Sequence, residues 1–247
     1  MAERIDDLQC NGYRIIQDTD GFCFGMDAVL LANYAVPSVV SGARVLDLGT
    51  GTGIIPLLIA AKTDAAELTG IEIQKDVAEM AERSVRLNHQ EHRMRILQAD
   101  VREIRTLGLD SSMNVVTSNP PYMKAGLKNA ESRKLISRHE VACSFYDIAY
   151  AAAFTLKSNG KFFLVHRPNR LADIITELRR VHLEPKRMRL VYPYQKREAN
   201  LFLMEAVKGG RSQLTVEPPL IVYRDVNVYS DEILEIYQSK AQNNKNI

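Results

Sequence analysis

Asn119-Pro120-Pro121-Tyr122 combines groups suited to holding a planar nitrogen. Such a nitrogen, in an amide or on an aromatic ring, has a delocalised lone pair. It is a poor nucleophile until acceptors take its hydrogens and draw it toward tetrahedral geometry. A carboxamide oxygen and the next backbone carbonyl are acceptors of that kind. Pro120 has no N–H and keeps Asn119 out of the α region, so the Asn119 side chain and the Pro120 carbonyl can face one cleft. Tyr122 adds a flat face on which a planar substrate can stack.

A second group of residues lies upstream. Asp47-Leu48-Gly49-Thr50-Gly51-Thr52-Gly53 is a glycine-rich turn after an apolar run. Glycines in this position serve dinucleotides, phosphates and S-adenosylmethionine alike. The G-x-G-x-G spacing departs from the dinucleotide fingerprint, which needs a further small residue where this chain has Ile54. Glu72 can accept both hydroxyls of a ribose under either reading. Asp100 can take an adenine amino group or cap a helix.

The elements that must carry these residues alternate. Strands are expected at 44–48, 68–73, 95–99, 115–118 and 161–166, and helices at 54–62, 75–88, 145–156 and 171–181. This order implies an α/β fold with a doubly wound, mostly parallel sheet, whose ligands bind beyond the carboxyl ends of the strands. The glycine turn, Glu72, Asp100 and Asn119 all fall at such ends. Runs at 189–192 and 201–207, with no helix between them, predict a closing C-terminal antiparallel hairpin and bring the sheet to seven strands. The expected organisation is an N-terminal segment, 1–42, over the site, a core, 43–208, and a C-terminal extension, 209–247.

Composition narrows the setting. The 247 residues include 32 Lys and Arg against 30 Asp and Glu, so bulk charge does not mark a nucleic-acid binder and any such role must come from local clusters. Cys10, Cys23 and Cys143 are odd in number and widely spaced, without a Cys/His metal pattern, which points to a reducing cytoplasm. No stretch approaches the roughly 18 apolar residues that would span a bilayer, and the charged N-terminus lacks an apolar signal region.

On these motifs the chain resembles the class I S-adenosylmethionine-dependent methyltransferases of the N-P-P-Y group, over roughly residues 22–207. That group modifies adenine N6, guanine N2 or a protein glutamine amide on a Rossmann-like sheet. The resemblance implies S-adenosylmethionine as cofactor, with Asp47, Gly49, Gly51 and Gly53 at its methionine end, Glu72 at its ribose and Asp100 at its adenine. It implies that Asn119, Pro120 and Tyr122 address the target nitrogen, with Asn119 also bordering the donor. Two flanking segments sharpen the likeness. Phe24-Gly25-Met26-Asp27-Ala28-Val29-Leu30-Leu31 is similar to a segment that covers the donor in relatives acting on transfer RNA, which adds Phe24 and Asp27 to the donor site. Arg138-His139-Glu140 resembles a signature of the bacterial enzymes that methylate N6 of the adenine just 3′ of the anticodon in a valine transfer RNA.

Charge clustering agrees with an RNA partner. Lys124, Lys128, Arg133, Lys134 and Arg138 face only one acid, Glu131, between Tyr122 and His139, and this loop is expected to meet phosphates. His139 is expected to contact RNA rather than act as a base, since a methylated exocyclic amine gives up its proton readily. A second basic group, Arg179, Arg180, Lys186, Arg187, Arg189, Lys196 and Arg197, is divided between a solvated face and a further contact. No metal is required, because a sulfonium already makes its methyl electrophilic. The expected activity is adenine-N6 methylation of RNA, most directly transfer RNA. Guanine-N2 methylation of ribosomal RNA and glutamine-N5 methylation of a protein are the same-class alternatives. A non-catalytic RNA-binding module is the alternative of another class.

Overall fold

The structure, a computed structural model, describes residues 2–19, 23–121 and 143–238. The chain opens with an antiparallel pair, β1 (Glu3–Asp7) and β2 (Arg14–Asp18), followed by α1 (Met26–Ala35). Next come β3 (Arg44–Leu48), α2 (Ile54–Lys62), β4 (Glu67–Glu72), α3 (Lys75–Leu87), β5 (Met94–Gln98) and β6 (Met113–Ser118). Beyond residue 143 lie α4 (Phe145–Thr155), β7 (Leu156–His166), α5 (Leu171–Arg180), β8 (Leu183–Tyr194) and β9 (Leu201–Lys208). The chain continues through β10 (Thr215–Val216), β11 (Leu220–Asp225), β12 (Val228–Tyr229) and α6 (Asp231–Gln238).

One ten-stranded sheet organises these elements in the order β12-β11-β8-β9-β7-β6-β3-β4-β5, with β10 beside β8. Strands β3 to β7 are mutually parallel where they pair, and β9 runs antiparallel to both β7 and β8. The seven strands and reversed hairpin expected from the sequence are therefore present. The C-terminal residues lengthen the sheet further through β11, which pairs parallel to β8.

Burial explains why the central elements form. Strand β6 is covered on both faces, with Met113, Val115, Val116, Thr117 and Ser118 all at 0–1% exposure, as a central parallel strand requires. Alternate residues of β3 feed two cores: Val45 packs with α1 and α2 on one face, while Leu46 and Leu48 pack with α4 on the other. Helix α3 turns Ala78, Met80, Ala81, Ser84 and Val85 inward and leaves the rest of its surface to solvent, the pattern of a helix lying on a sheet.

The β1/β2 pair was not foreseen. Strand β2 is held by side chains far away in sequence: Asn88 accepts from the Arg14 N–H at 2.8 Å, and the Ser84 hydroxyl accepts from the Ile16 N–H at 3.0 Å. Its order comes from α3 rather than from its own periodicity. Among the described residues no helix is long and apolar enough to cross a membrane.

Candidate active site

Strand register gathers the predicted residues at one edge. Leu48 pairs with Ile71 on one side and Ser118 on the other, and Glu72 pairs with Gln98. Gly49 and Asn119 therefore leave neighbouring strands at the same level, about 5 Å apart by the ladder spacing, with Glu72 emerging on the far side of β3. Two buried side-chain bonds fix β6 to β3 at this level. The Thr117 hydroxyl donates to Asp47 Oδ1 at 2.6 Å, and the Ser118 hydroxyl donates to the Leu48 carbonyl at 2.9 Å. The strand that delivers Asn119 is thereby locked to the strand that delivers the glycine turn.

The turn itself requires its glycines for backbone conformation. Gly49, Gly51 and Gly53 have φ of 71°, 56° and 85°, a region that side-chain-bearing residues rarely adopt. A Cβ at Gly49 or Gly51 would meet nothing within 4 Å, so the space beside the turn is open. Thr50 instead folds back on β4, where its N–H donates to the Ile71 carbonyl at 2.9 Å. Its side chain lies so close to Gly70 that a Cβ there would stand 2.7 Å from Thr50 Cγ2.

Gly70 was missed by sequence reasoning, although an isolated glycine inside a strand signals a close approach of this kind. Gly70→Ala is expected to destabilise the fold by ~1–3 kcal/mol through overpacking. Adding Thr50→Ala should recover part of the loss, because it removes the obstructing atoms. Denaturant unfolding of the two single variants and the double variant checks this coupling.

Glu72 is only 6% exposed and closes the turn from β4. Its Oε2 accepts from the Gly51 N–H at 3.0 Å and its Oε1 from the Gln74 N–H at 2.9 Å. Gln74 Nε2 also donates to Oε1, at 3.5 Å, so the carboxylate is fixed in place with acceptor capacity remaining on Oε2. Asp100 follows Ala99, whose N–H donates to the Glu72 carbonyl at 3.0 Å. Asp100 caps the short 3-10 helix Val101–Thr106 by accepting from the Arg102 N–H at 2.9 Å, and it pairs with the Arg102 guanidinium. That guanidinium lowers the Asp100 pKa from its ordinary value. Both the capping geometry and the position beside Glu72 are therefore present in one residue.

Asp47 is the electrostatic outlier. It is 1% exposed, its Oδ2 has no hydrogen-bond partner among the described residues, and the same holds for the Thr50 hydroxyl. Burial raises its pKa to about 7, against the opposing effect of the Thr117 hydrogen bond. A half-satisfied buried carboxyl beside an open glycine turn fits the α-ammonium of S-adenosylmethionine, and Glu72 fits its ribose diol.

The raised value sets a pH dependence. The ionised form, which would attract that ammonium, is populated only as pH rises through about 7. Affinity for S-adenosylhomocysteine should rise about tenfold from roughly pH 6 to 8, with proton release on binding. Asp47→Asn should flatten that profile. Calorimetry in buffers of different ionisation enthalpy measures both effects.

Of the target-site residues, Asn119 is partly buried, Pro120 buried and Pro121 exposed. Tyr122, Lys124, Lys128, Arg133, Lys134, Arg138 and His139 lie outside the described residues. The Phe24 N–H donates to Gln17 Oε1 at 2.9 Å, and Phe24 lines a cavity of about 320 Å³ with Leu58, Lys62, Tyr229 and Tyr237. Asp27 Oδ1 accepts from the Ala28 N–H at 2.9 Å in the first turn of α1.

A further residue at this edge carries no motif. His166 ends β7 two positions beyond Leu164, the partner of Ser118, and so stands level with Pro120. Its ring is 6.4 Å from those of Phe145 and Phe202, and Nδ1 accepts from the Arg167 N–H at 2.8 Å. Burial lowers its pKa to about 4, so it is neutral at physiological pH.

Comparison with known proteins places the chain among methyltransferases. The family model described as methyltransferase small domain matches residues 27–181. A protein of Flavobacterium johnsoniae named tRNA1(Val) (adenine(37)-N6)-methyltransferase is 25% identical over 229 residues, covering 93% of this chain and 96% of that one. A protein of the same name from a Flavobacteriaceae bacterium is 28% identical over 153 residues, so that 62% of this chain spans 63% of that relative's length. Among solved structures, a predicted O-methyltransferase of Agrobacterium tumefaciens superposes with a TM-score of 0.71 at 27% identity, over 88% of this chain and all of that one. The family match encloses Asp47, the glycine turn, Glu72, Asp100 and Asn119, and the chain belongs to the methyltransferase small domain family.

Proposed function

We propose that this chain transfers the methyl group of S-adenosylmethionine to N6 of an adenine in transfer RNA, next to the anticodon, in the cytoplasm. The observation that carries the reading is the delivery of Asn119 and Pro120 from β6, one ladder step from the glycine turn and locked to it by Thr117 and Ser118. Relatives named as tRNA1(Val) adenine-N6-methyltransferases support the choice of nucleotide and of RNA.

Each residue then has a task. When bound, S-adenosylmethionine supplies an electrophilic methyl on a cationic sulfur. Asp47 and the glycine turn hold its amino-acid end, Glu72 its ribose and Asp100 its adenine amino group. Tyr122 gives the extruded target base a stacking face. The Asn119 carboxamide oxygen and the Pro120 carbonyl accept the two N6 hydrogens and turn the nitrogen lone pair away from the ring. As N6 becomes tetrahedral and cationic, those two acceptors bind it more strongly than they bind the ground state, which is the condition for acceleration. The methylated amine then releases its proton readily, so Asn119 needs no basic partner.

Guanine N2 and a glutamine amide share the planar nitrogen, and the product separates them. Nucleoside mass spectrometry of transfer RNA, from cells with and without the protein, should show N6-methyladenosine that depends on it. A protein-dependent N2-methylguanosine, or a methylated glutamine with unchanged transfer RNA, would overturn the reading.

A further inference from the structure

The structure sorts the second basic group into cations that are committed and cations that are not. Arg179 pairs with Glu184, Arg180 with Glu177, Arg187 with Glu205 and Glu217, and Arg189 with Glu232, while Lys186 donates to the Arg211 carbonyl. These five are engaged within the protein. Lys196 and Arg197 are exposed, and neither side chain has an ion pair or a hydrogen bond among the described residues.

Their place in the sheet is specific. Strand β8 is antiparallel to β9, and β9 is antiparallel to β7, so β8 runs in the same direction as β6 and its carboxyl end lies on the edge that carries Asn119. Lys196 and Arg197 occupy the turn directly after that end. The order β8-β9-β7-β6 sets the turn three ladder steps to the side of Asn119, roughly 14 Å, and because the register puts Asn119 level with Arg189, β8 carries the turn roughly 17 Å further along the strand axis, about 22 Å in all, a span that a single-stranded segment covers in several nucleotides.

The turn is also well anchored. The Arg197 N–H donates to the Tyr194 carbonyl at 3.0 Å, which closes a tight turn with Gln195 and Lys196 at its tip. Tyr194, at its base, begins a stack running through Tyr223, Tyr229 and Tyr237, with ring centroids 5.3, 5.2 and 5.9 Å apart. On the other side, Arg167, one residue beyond His166, donates to the Asn200 carbonyl at 3.1 Å and joins the β7 end to the turn. One acid, Glu198, is exposed beside the two cations.

We propose that Lys196 and Arg197 form a second contact for the phosphate backbone of a single-stranded RNA segment flanking the target base. This rests on the reading of the chain as an RNA methyltransferase. Two uncommitted cations on a fixed turn bind phosphate without first breaking an internal pair. Their alignment with the Asn119 edge suits a strand that runs across the carboxyl ends of the sheet.

The test measures binding of unmodified transfer RNA between about 50 and 200 mM salt, where each lost phosphate contact flattens the log–log slope by about 0.7–0.9. A Lys196→Gln, Arg197→Gln double variant should flatten the slope by about 1.4–1.8 and weaken binding about tenfold at low salt. Glu198→Gln should tighten binding. An Arg179→Gln, Lys186→Gln control, which removes two committed charges, should keep the parent slope. Affinity for S-adenosylhomocysteine, measured on every variant, reports that the fold is intact.

A double variant with the parent slope, in a protein whose parent form binds and methylates transfer RNA, would overturn the turn contact alone. A parent protein that binds transfer RNA at no salt concentration would overturn the contact and the RNA reading together.

Discussion

Asn119→Ala is expected to slow methyl transfer by ~10²–10³-fold, the loss typical of removing one preorganised group that meets charge developing in the transition state. The reason lies in when the contact matters. In the ground state the target nitrogen is planar and its hydrogens can find other acceptors, so little binding depends on the carboxamide. As the nitrogen becomes tetrahedral and cationic, its hydrogens become stronger donors, and an acceptor already in position is worth most at that moment.

Asn119 is held there by β6. Thr117 and Ser118, the two residues before it, are fully buried and bonded to β3. Alanine at 119 removes the acceptor without disturbing those bonds, so affinity for S-adenosylhomocysteine should stay close to the parent value. Single-turnover assays at saturating donor and transfer RNA read the chemical step directly. A variant that methylates at the parent rate would return the N-P-P-Y segment to a structural turn and remove the proposed mechanism.

The sequence carried the skeleton of this site because parallel α/β sheets put function at strand ends, where short motifs break the apolar runs. The glycine turn, Glu72, Asp100 and Asn119 were legible for that reason. What the sequence did not carry depends on contacts across it. Nothing around Thr117 announces a bond to Asp47, 70 residues earlier, and nothing around Asp47 announces that its second oxygen has no partner among the described residues. Gly70 owes its identity to Thr50 on the neighbouring strand. His166 reaches the level of Pro120 only through the β6 to β7 register, which a lone histidine at a strand end does not reveal.

The later basic residues looked uniform as a list of charges, and pairing divided them. Arg187 and Arg189 tie the C-terminal residues to the sheet through Glu217 and Glu232, whereas Lys196 and Arg197 enter no such pair among the described residues. Asp100 is the converse case. A strand-terminal Asp suits both a cap and a ligand contact, and here Arg102 already engages it.

Glu72→Ala should weaken donor binding by ~10²–10⁴-fold, since each hydrogen bond to a charged acceptor is worth ~1.5–3 kcal/mol and the ribose diol offers two donors. The structure adds a second cost. Glu72 accepts from the N–H groups of Gly51 and Gln74, so the same carboxylate that would meet the ribose also sets the turn that would meet the methionine end. Removing it leaves the Gly51 N–H without that acceptor and loosens a turn whose three glycines have little conformational preference of their own. Direct contact and turn support can be separated by calorimetry with two ligands, S-adenosylhomocysteine and its analogue lacking the ribose 2′-hydroxyl. If Glu72 binds the diol, its replacement should cost markedly less with the deoxy ligand, and the difference is the coupling between that hydroxyl and the carboxylate. Equal losses with both ligands would confine Glu72 to supporting the turn, and unchanged affinity for both would remove it from the donor site.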